Sequence, residues 1–146
     1  WGVSNLDYAD MQELGQVPGG QDCATDQVLY HLASRGIEYD LLPWCQQQPM
    51  PVMAYCPLAQ AGRLRAGLMN HPVVNAIAKE YNATAAQVLL AWVIGHPGVM
   101  AIPKASSIMH VEENAGALGI TLSAEALQKL DAAFPAPKNK TALDVV

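Results

Sequence analysis

Four short apolar runs, each followed by residues at helical spacing, constrain this chain more than any other feature. The runs are Trp1–Ser4, Ala24–Tyr30, Pro51–Tyr55 and Val99–Pro103. Each is too short for a helix, is rich in Val, Ile, Tyr or Met, and ends at Pro, Gly, Ser or Asn, which reads as a buried strand. Asn5-Leu6-Asp7 opens a first helix in which Tyr8, Met11 and Leu14 share a face. A second is predicted from about Tyr39 to Gln48, with Asp40 as cap and Pro43 in the first turn, where its missing N–H costs little. Leu41, Leu42 and Cys45 would face inward. Pro57–Gly67, with Gln60, Gly62, Arg63 and Arg65, reads as a loop. His71-Pro72 then starts a helix with a Val73, Ile77 and Tyr81 stripe. Thr84 and Gln87 form a capping box for another, burying Val88, Leu89, Trp92 and Val93. After the fourth strand, Ile108, Val111, Ala115 and Leu118 are spaced to face a core, and Gly119 supplies the stop. Ser123 opens a last helix through Leu127, Leu130 and Phe134, and residues 135–146 read as an irregular tail.

Alternating strands and helices without a close repeat argue for a parallel α/β fold. A doubly wound sheet would be complete in 146 residues, whereas an eight-stranded barrel needs about 250. No G-x-G-x-x-G or P-loop follows any strand, so the usual phosphate-binding turn of doubly wound nucleotide binders is missing.

Composition narrows the function classes. The net charge is −5, and the eight Lys and Arg form no basic run, which disfavours a nucleic-acid surface. Apolar stretches are interrupted well before the roughly 20 residues of a membrane span, and no signal peptide is read. Cys23, Cys45 and Cys56 are odd in number and lack metal-ligand spacing; reduced thiols, a cytoplasmic location and no metal site are expected. The chain starts at Trp1, within a strand and without Met, so a fragment is expected.

In parallel α/β folds, ligands gather at the carboxyl ends of strands. Those ends offer Ser4 and Asn5, then Asp26 and Gln27, then Tyr55 and Cys56, then Lys104. Taken singly, each has a bland alternative as a cap, a satisfied polar residue or core. Together they provide amides and a hydroxyl for a carboxamide, an aromatic face for stacking and a cation for a phosphate. Ser106 and Ser107 are good helix starters, and His110, Glu113 and Asn114 share a face of the helix that follows, which suits a nucleotide. Tyr30 and His31 are adjacent, but neighbours on a strand point to opposite faces and do not easily form one acid–base site.

The runs GVSN, DQVLYH, AYCPLAQAG, IPKASSIMHVEENAGAL and SAEALQKLDAAFP resemble the aldo-keto reductases, barrel-shaped carbonyl reductases that use NADPH. The resemblance covers nearly the whole chain and implies one incomplete domain over 1–146, the C-terminal half, about four strand–helix units, of a (β/α)8 TIM barrel. It implies that Ser4, Asn5 and Gln27 bind the nicotinamide carboxamide, that Tyr55 stacks on the ring, and that Cys56, Leu58 and Gln60 line the pyrophosphate. Lys104, Ser106 and His110 would serve the 2′-phosphate, and Glu113 and Asn114 the adenine. Asp26, Cys56, Ala105 and His110 depart from the common Asn, Ser, hydroxyl residue and Arg. Asp26 would add a charge near the nicotinamide, and an imidazole balances a 2′-phosphate less reliably than a guanidinium. NADPH is therefore the preferred cofactor, with NADH as the second. The family's catalytic Asp, Tyr, Lys and His come from the first half-barrel and have no counterparts here, so no catalytic residue is assigned. The implied function is the cofactor-binding portion of a reductase of small aldehydes and ketones such as methylglyoxal, inactive alone. The alternative is a non-catalytic nucleotide-binding half-barrel, or a structural unit whose open edges are covered by the missing half or a second copy.

Overall fold

The computed structural model describes residues 1–146 as a four-stranded, all-parallel sheet flanked by helices. Strands β1 (Val3–Ser4), β2 (Asp26–Leu29), β3 (Val52–Tyr55) and β4 (Val99–Ala101) lie in the order β1-β2-β3-β4. This order never reverses, so the sheet has no switch point of the doubly wound kind and is a barrel sector. The helices are α1 (Tyr8–Leu14), α2 (Leu41–Gln47), α3 (Arg63–Met69), α4 (Pro72–Glu80), α5 (Ala85–Ile94), α6 (Ile108–Gly116) and α7 (Ala124–Ala133).

Strand register sorts the side chains into two faces. Asp26, opposite Val3 and Val52, and Val28, opposite Ala54, belong to rows turned toward the helices, and Val28, Val52 and Ala54 join the main core. Ser4, Gln27, Met53 and Met100 form a row on the other face, which no helix covers. Met100 and Ile102 remain 43% and 41% exposed there. In a closed barrel such residues would fill the interior.

Local chemistry places the helix starts. Asp7 and Thr84 each complete a capping box, and Asp40, His71, Ser107 and Ser123 cap α2, α4, α6 and α7. The hydrophobic α5 is the centre of the helix layer, burying Val88 to Val93 without a break. Trp92 packs against Tyr30 with ring centroids 5.3 Å apart, and the buried Arg35 guanidinium lies 5.0 Å from the Trp92 ring. Arg35 donates to Glu38 at 2.8 Å and to Asp131 at 2.7 Å, joining the β2–α2 connection to α7. A Cβ at Gly116 would lie 2.5 Å from Gln87 Nε2, so this position admits the close approach of α6 to α5.

Four expectations are corrected. Ile108, Val111 and Leu118 do not face a core: they are 80%, 55% and 77% exposed, Ala115 is exposed too, and Ala117 is the buried residue nearby. Their helical spacing is real, but this chain supplies nothing to cover that face of α6. The Pro57–Gly67 segment is not loop throughout, because α3 begins at Arg63. In α4, Val74, Ile77 and Ala78 are buried, while Val73 and Tyr81 are only half-buried. Leu127 is on the exposed side of α7, where Ala126 and Leu130 make the inward contacts. Residues 135–146 carry no helix or strand. No helix is long and apolar enough to cross a membrane.

Candidate cofactor site

The ends of β1 and β3 and the start of β2 bring four of the expected residues together; Gln27, expected at a strand's carboxyl end, is the second residue of β2 and comes level with Ser4 because β1 ends there. Asn5 takes a left-handed φ of 58°, and its backbone N–H donates to the Gln27 carbonyl at 3.0 Å. Ser4 Oγ donates to the same carbonyl at 2.9 Å. Tyr55 Oη donates to Asn5 Oδ1 at 3.0 Å, which leaves the Asn5 amide N–H groups facing outward as donors. Gln27 Nε2 donates to Met53 Sδ at 3.1 Å, leaving Gln27 Oε1 as an unused acceptor. A donor pair beside an acceptor matches the two ends of a primary carboxamide, and the half-buried Tyr55 ring stands next to it.

A second cluster lies at the ends of β3 and β4. Cys56, Leu58, Ala59, Ala61, Arg65, Pro103 and Lys104 line a cavity of about 310 Å³. Lys104 and Arg65 are exposed and unpaired; the ion pairs of the molecule use Arg35, Lys129 and Lys140. The loop on the opposite wall has positive φ at Cys56 (49°), Ala59 (66°) and Gly62 (94°). Left-handed backbone at a side chain with a Cβ costs about 1–2 kcal/mol, and such strain gathers at functional loops. Two unpaired cations beside a strained loop have the chemistry to receive an anion. Arg65 is not legible as a site residue in the sequence; its signal, a cation three positions after Gly62, has meaning only once the first turn of α3 places it in the same cavity as Lys104.

The remaining expected residues are placed less uniformly. Ser107, not Ser106, caps α6 by accepting the His110 N–H at 3.2 Å, and Ser106 is exposed without a partner. His110 is exposed, and Glu113 and Asn114 are half-buried one turn on. Asn114 lines a small cleft with Leu90, Ile94 and Pro103. Pro103 therefore borders both this cleft and the Lys104 cavity. Gln60 turns away from the cavity and meets His31.

Asp26 does not add a charge at the carboxamide cluster, a correction that follows from strand alternation. Gln27 faces the open side, so Asp26 faces the helices, where it is fully buried and neither carboxylate oxygen has a hydrogen-bond partner. Burial pushes its pKa up to about 6, assisted by the charges of Asp10 and Asp7; the Leu6 N–H lies close enough to oppose the shift but makes no hydrogen bond of good geometry to the carboxylate. Tyr30 and His31 diverge as expected. Tyr30 is fully buried against Trp92 in the helix layer with its Oη donating to Glu38 at 2.8 Å, which keeps it from the open face, and burial and Glu38 raise its pKa. The three cysteines form no disulfide.

A singly wound parallel sheet with polar side chains and a cationic cavity gathered along one rim is a sector of an α/β barrel, and the aldo/keto reductase family model matches residues 1–134; the chain belongs to that family. Over its whole length it is 73% identical to methylglyoxal reductase YeaE of Escherichia coli strain K12, of which it covers 51%. Glyoxal reductase of Bacillus subtilis strain 168 is 32% identical over 90% of the chain and 44% of that protein. An aldo-keto reductase of Klebsiella pneumoniae, solved in complex with NADPH, superposes on all of the chain and 51% of its own, with a TM-score of 0.96 and 65% identity. The chain thus spans about half the length of the relatives it matches.

Proposed function

We propose that this chain is the cofactor-binding side of an NADPH-dependent carbonyl reductase whose complete form reduces small aldehydes and ketones, methylglyoxal among them. The observation that carries this is the pair of unpaired cations, Lys104 and Arg65, in one cavity along the same strand ends as the Ser4, Asn5, Gln27 and Tyr55 cluster. The residues present fit the cofactor: the amides suit its carboxamide, the Tyr55 ring its nicotinamide, and the cations its phosphates. When bound, NADPH supplies the hydride. Asn5 and Gln27 would fix which ring face is presented, and Tyr55 would cover the other. Lys104 would hold the 2′-phosphate, with Ser106 and His110 near it, while Glu113 and Asn114 would hold the adenine. Reduction also needs a proton donor within hydrogen-bond reach of the carbonyl oxygen. No side chain of this chain takes that role, so we assign it no catalytic residue and expect no turnover from it alone.

The name of the Escherichia coli relative and the NADPH complex of the Klebsiella protein support this reading. Titrating the purified chain with NADPH and NADH, followed by protein fluorescence, tests it. Saturable binding that favours NADPH is expected, and a folded chain that binds neither nucleotide would overturn it. A structural role through a second copy is favoured by one observation, the open edges of β1 and β4 beside an uncovered face.

A further inference from the structure

The imidazole of His31 is buried at the end of β2, in a bridge to Ser34, and the nucleotide reading gives it no task. Its backbone and both ring nitrogens are engaged. The Ser34 N–H donates to the His31 carbonyl at 2.8 Å, and the Ala33 N–H donates to Nδ1 at 3.2 Å. An Nδ1 that accepts carries no proton, so the ring proton of the neutral imidazole is on Nε2. Nε2 lies 3.1 Å from Gln60 Oε1 and donates to it. Burial lowers the pKa of His31, which keeps the ring in this neutral form. Protonating Nδ1 would set it against the Ala33 N–H.

We infer that His31 is a positioning residue: through Gln60 it pins the 56–62 loop, which forms one wall of the Lys104 and Arg65 cavity. Ala59 and Ala61 line that cavity, while Gln60 between them faces His31 instead. The bond to His31 is the one side-chain hydrogen bond made by residues 56–62. Within the loop, the Ala59 N–H donates to the Cys56 carbonyl at 2.8 Å, closing a turn that holds Ala59 at its positive φ. A loop carrying three left-handed residues must be held by its surroundings to persist. The tie joins the segment after β2 to the loop after β3. Its consequence for nucleotide binding rests on the function proposed above; its consequence for the loop does not.

The test combines trypsin cleavage after the exposed Arg63 and Arg65 with NADPH titration, on the full chain and on Gln60→Met, Gln60→Glu, His31→Asn and the Gln60→Met/His31→Asn double variant. Gln60→Met keeps the length of a half-buried side chain and removes the acceptor. Cleavage at both arginines is expected to speed up several-fold, and NADPH affinity to fall about 3- to 10-fold, as loss of one neutral hydrogen bond allows. Gln60→Glu keeps an acceptor and should restore slow cleavage. The double variant should be no worse than Gln60→Met, because His31 acts through Gln60. Unchanged cleavage in Gln60→Met, or a double variant whose effect is the product of the two singles, overturns the inference. The expected cleavage pattern in a chain that binds no NADPH would support the tie and overturn the function proposed above.

Discussion

Asp26 is the residue at which burial and charge conflict most directly. Its carboxyl has a pKa near 6 in the folded chain against 3.8 for the free side chain, so the folded state holds the proton more tightly. The contribution of Asp26 to stability is therefore greatest below about pH 4, falls as the pH rises toward 6, and stays low above that. The difference corresponds to about 3 kcal/mol at neutral pH. Asp26→Asn should raise stability at pH 7 by about 1–3 kcal/mol and flatten the dependence between pH 4 and 6, measured by urea unfolding across that range. A variant that is less stable at pH 7 with the slope intact would show that the carboxylate is compensated. At the other end of the sheet, Lys104→Ala should weaken NADPH binding about tenfold, the worth of one charge-assisted hydrogen bond. NADH, without the 2′-phosphate, should lose less than about twofold by the same comparison. Equal losses would remove Lys104 from its assigned role.

Among the elements, α5 and α6 show how far periodicity carries. The Thr84 and Gln87 capping box is formed as the residues predict, with reciprocal bonds of 3.2 and 3.0 Å. Thr84→Ala should cost about 1 kcal/mol, because it leaves an amide at the start of a buried helix without its acceptor. In α6 the same kind of reasoning identifies the helix and its apolar stripe but not what covers the stripe. Ile108→Glu should therefore change the stability of this chain by less than about 0.5 kcal/mol. Leu130→Ala, which empties a fully buried position on α7, should cost about 2–5 kcal/mol. Thermal or urea unfolding of the two variants separates them. A large loss at Ile108 would mean that α6 packs against something in solution, a second copy being the first to examine.

At the scale of the molecule, the sheet has two open edges and one uncovered face carrying Met53, Met100 and Ile102. Exposed apolar surface beside unpaired strand edges favours association. Light scattering of the purified chain should find an oligomer, and a well-folded monomer would count against the second-copy reading. Supplying the other half of the barrel should cover that face and, by the function proposed above, restore carbonyl reduction. By itself the sequence determined the alternation of strands and helices, the caps at Asp7, Asp40, Thr84, Ser107 and Ser123, and the class of residue at each strand end, because these depend on contacts within a few positions. It also carried the resemblance that named the family. Only the tertiary structure decided that the sheet order runs without a reversal, that Asp26 faces the helices while Gln27 faces the open side, and that Arg65 joins Lys104 and Gln60 joins His31. Those outcomes depend on register and on segments brought together across the fold, where adjacent residues part to opposite faces and distant ones become neighbours.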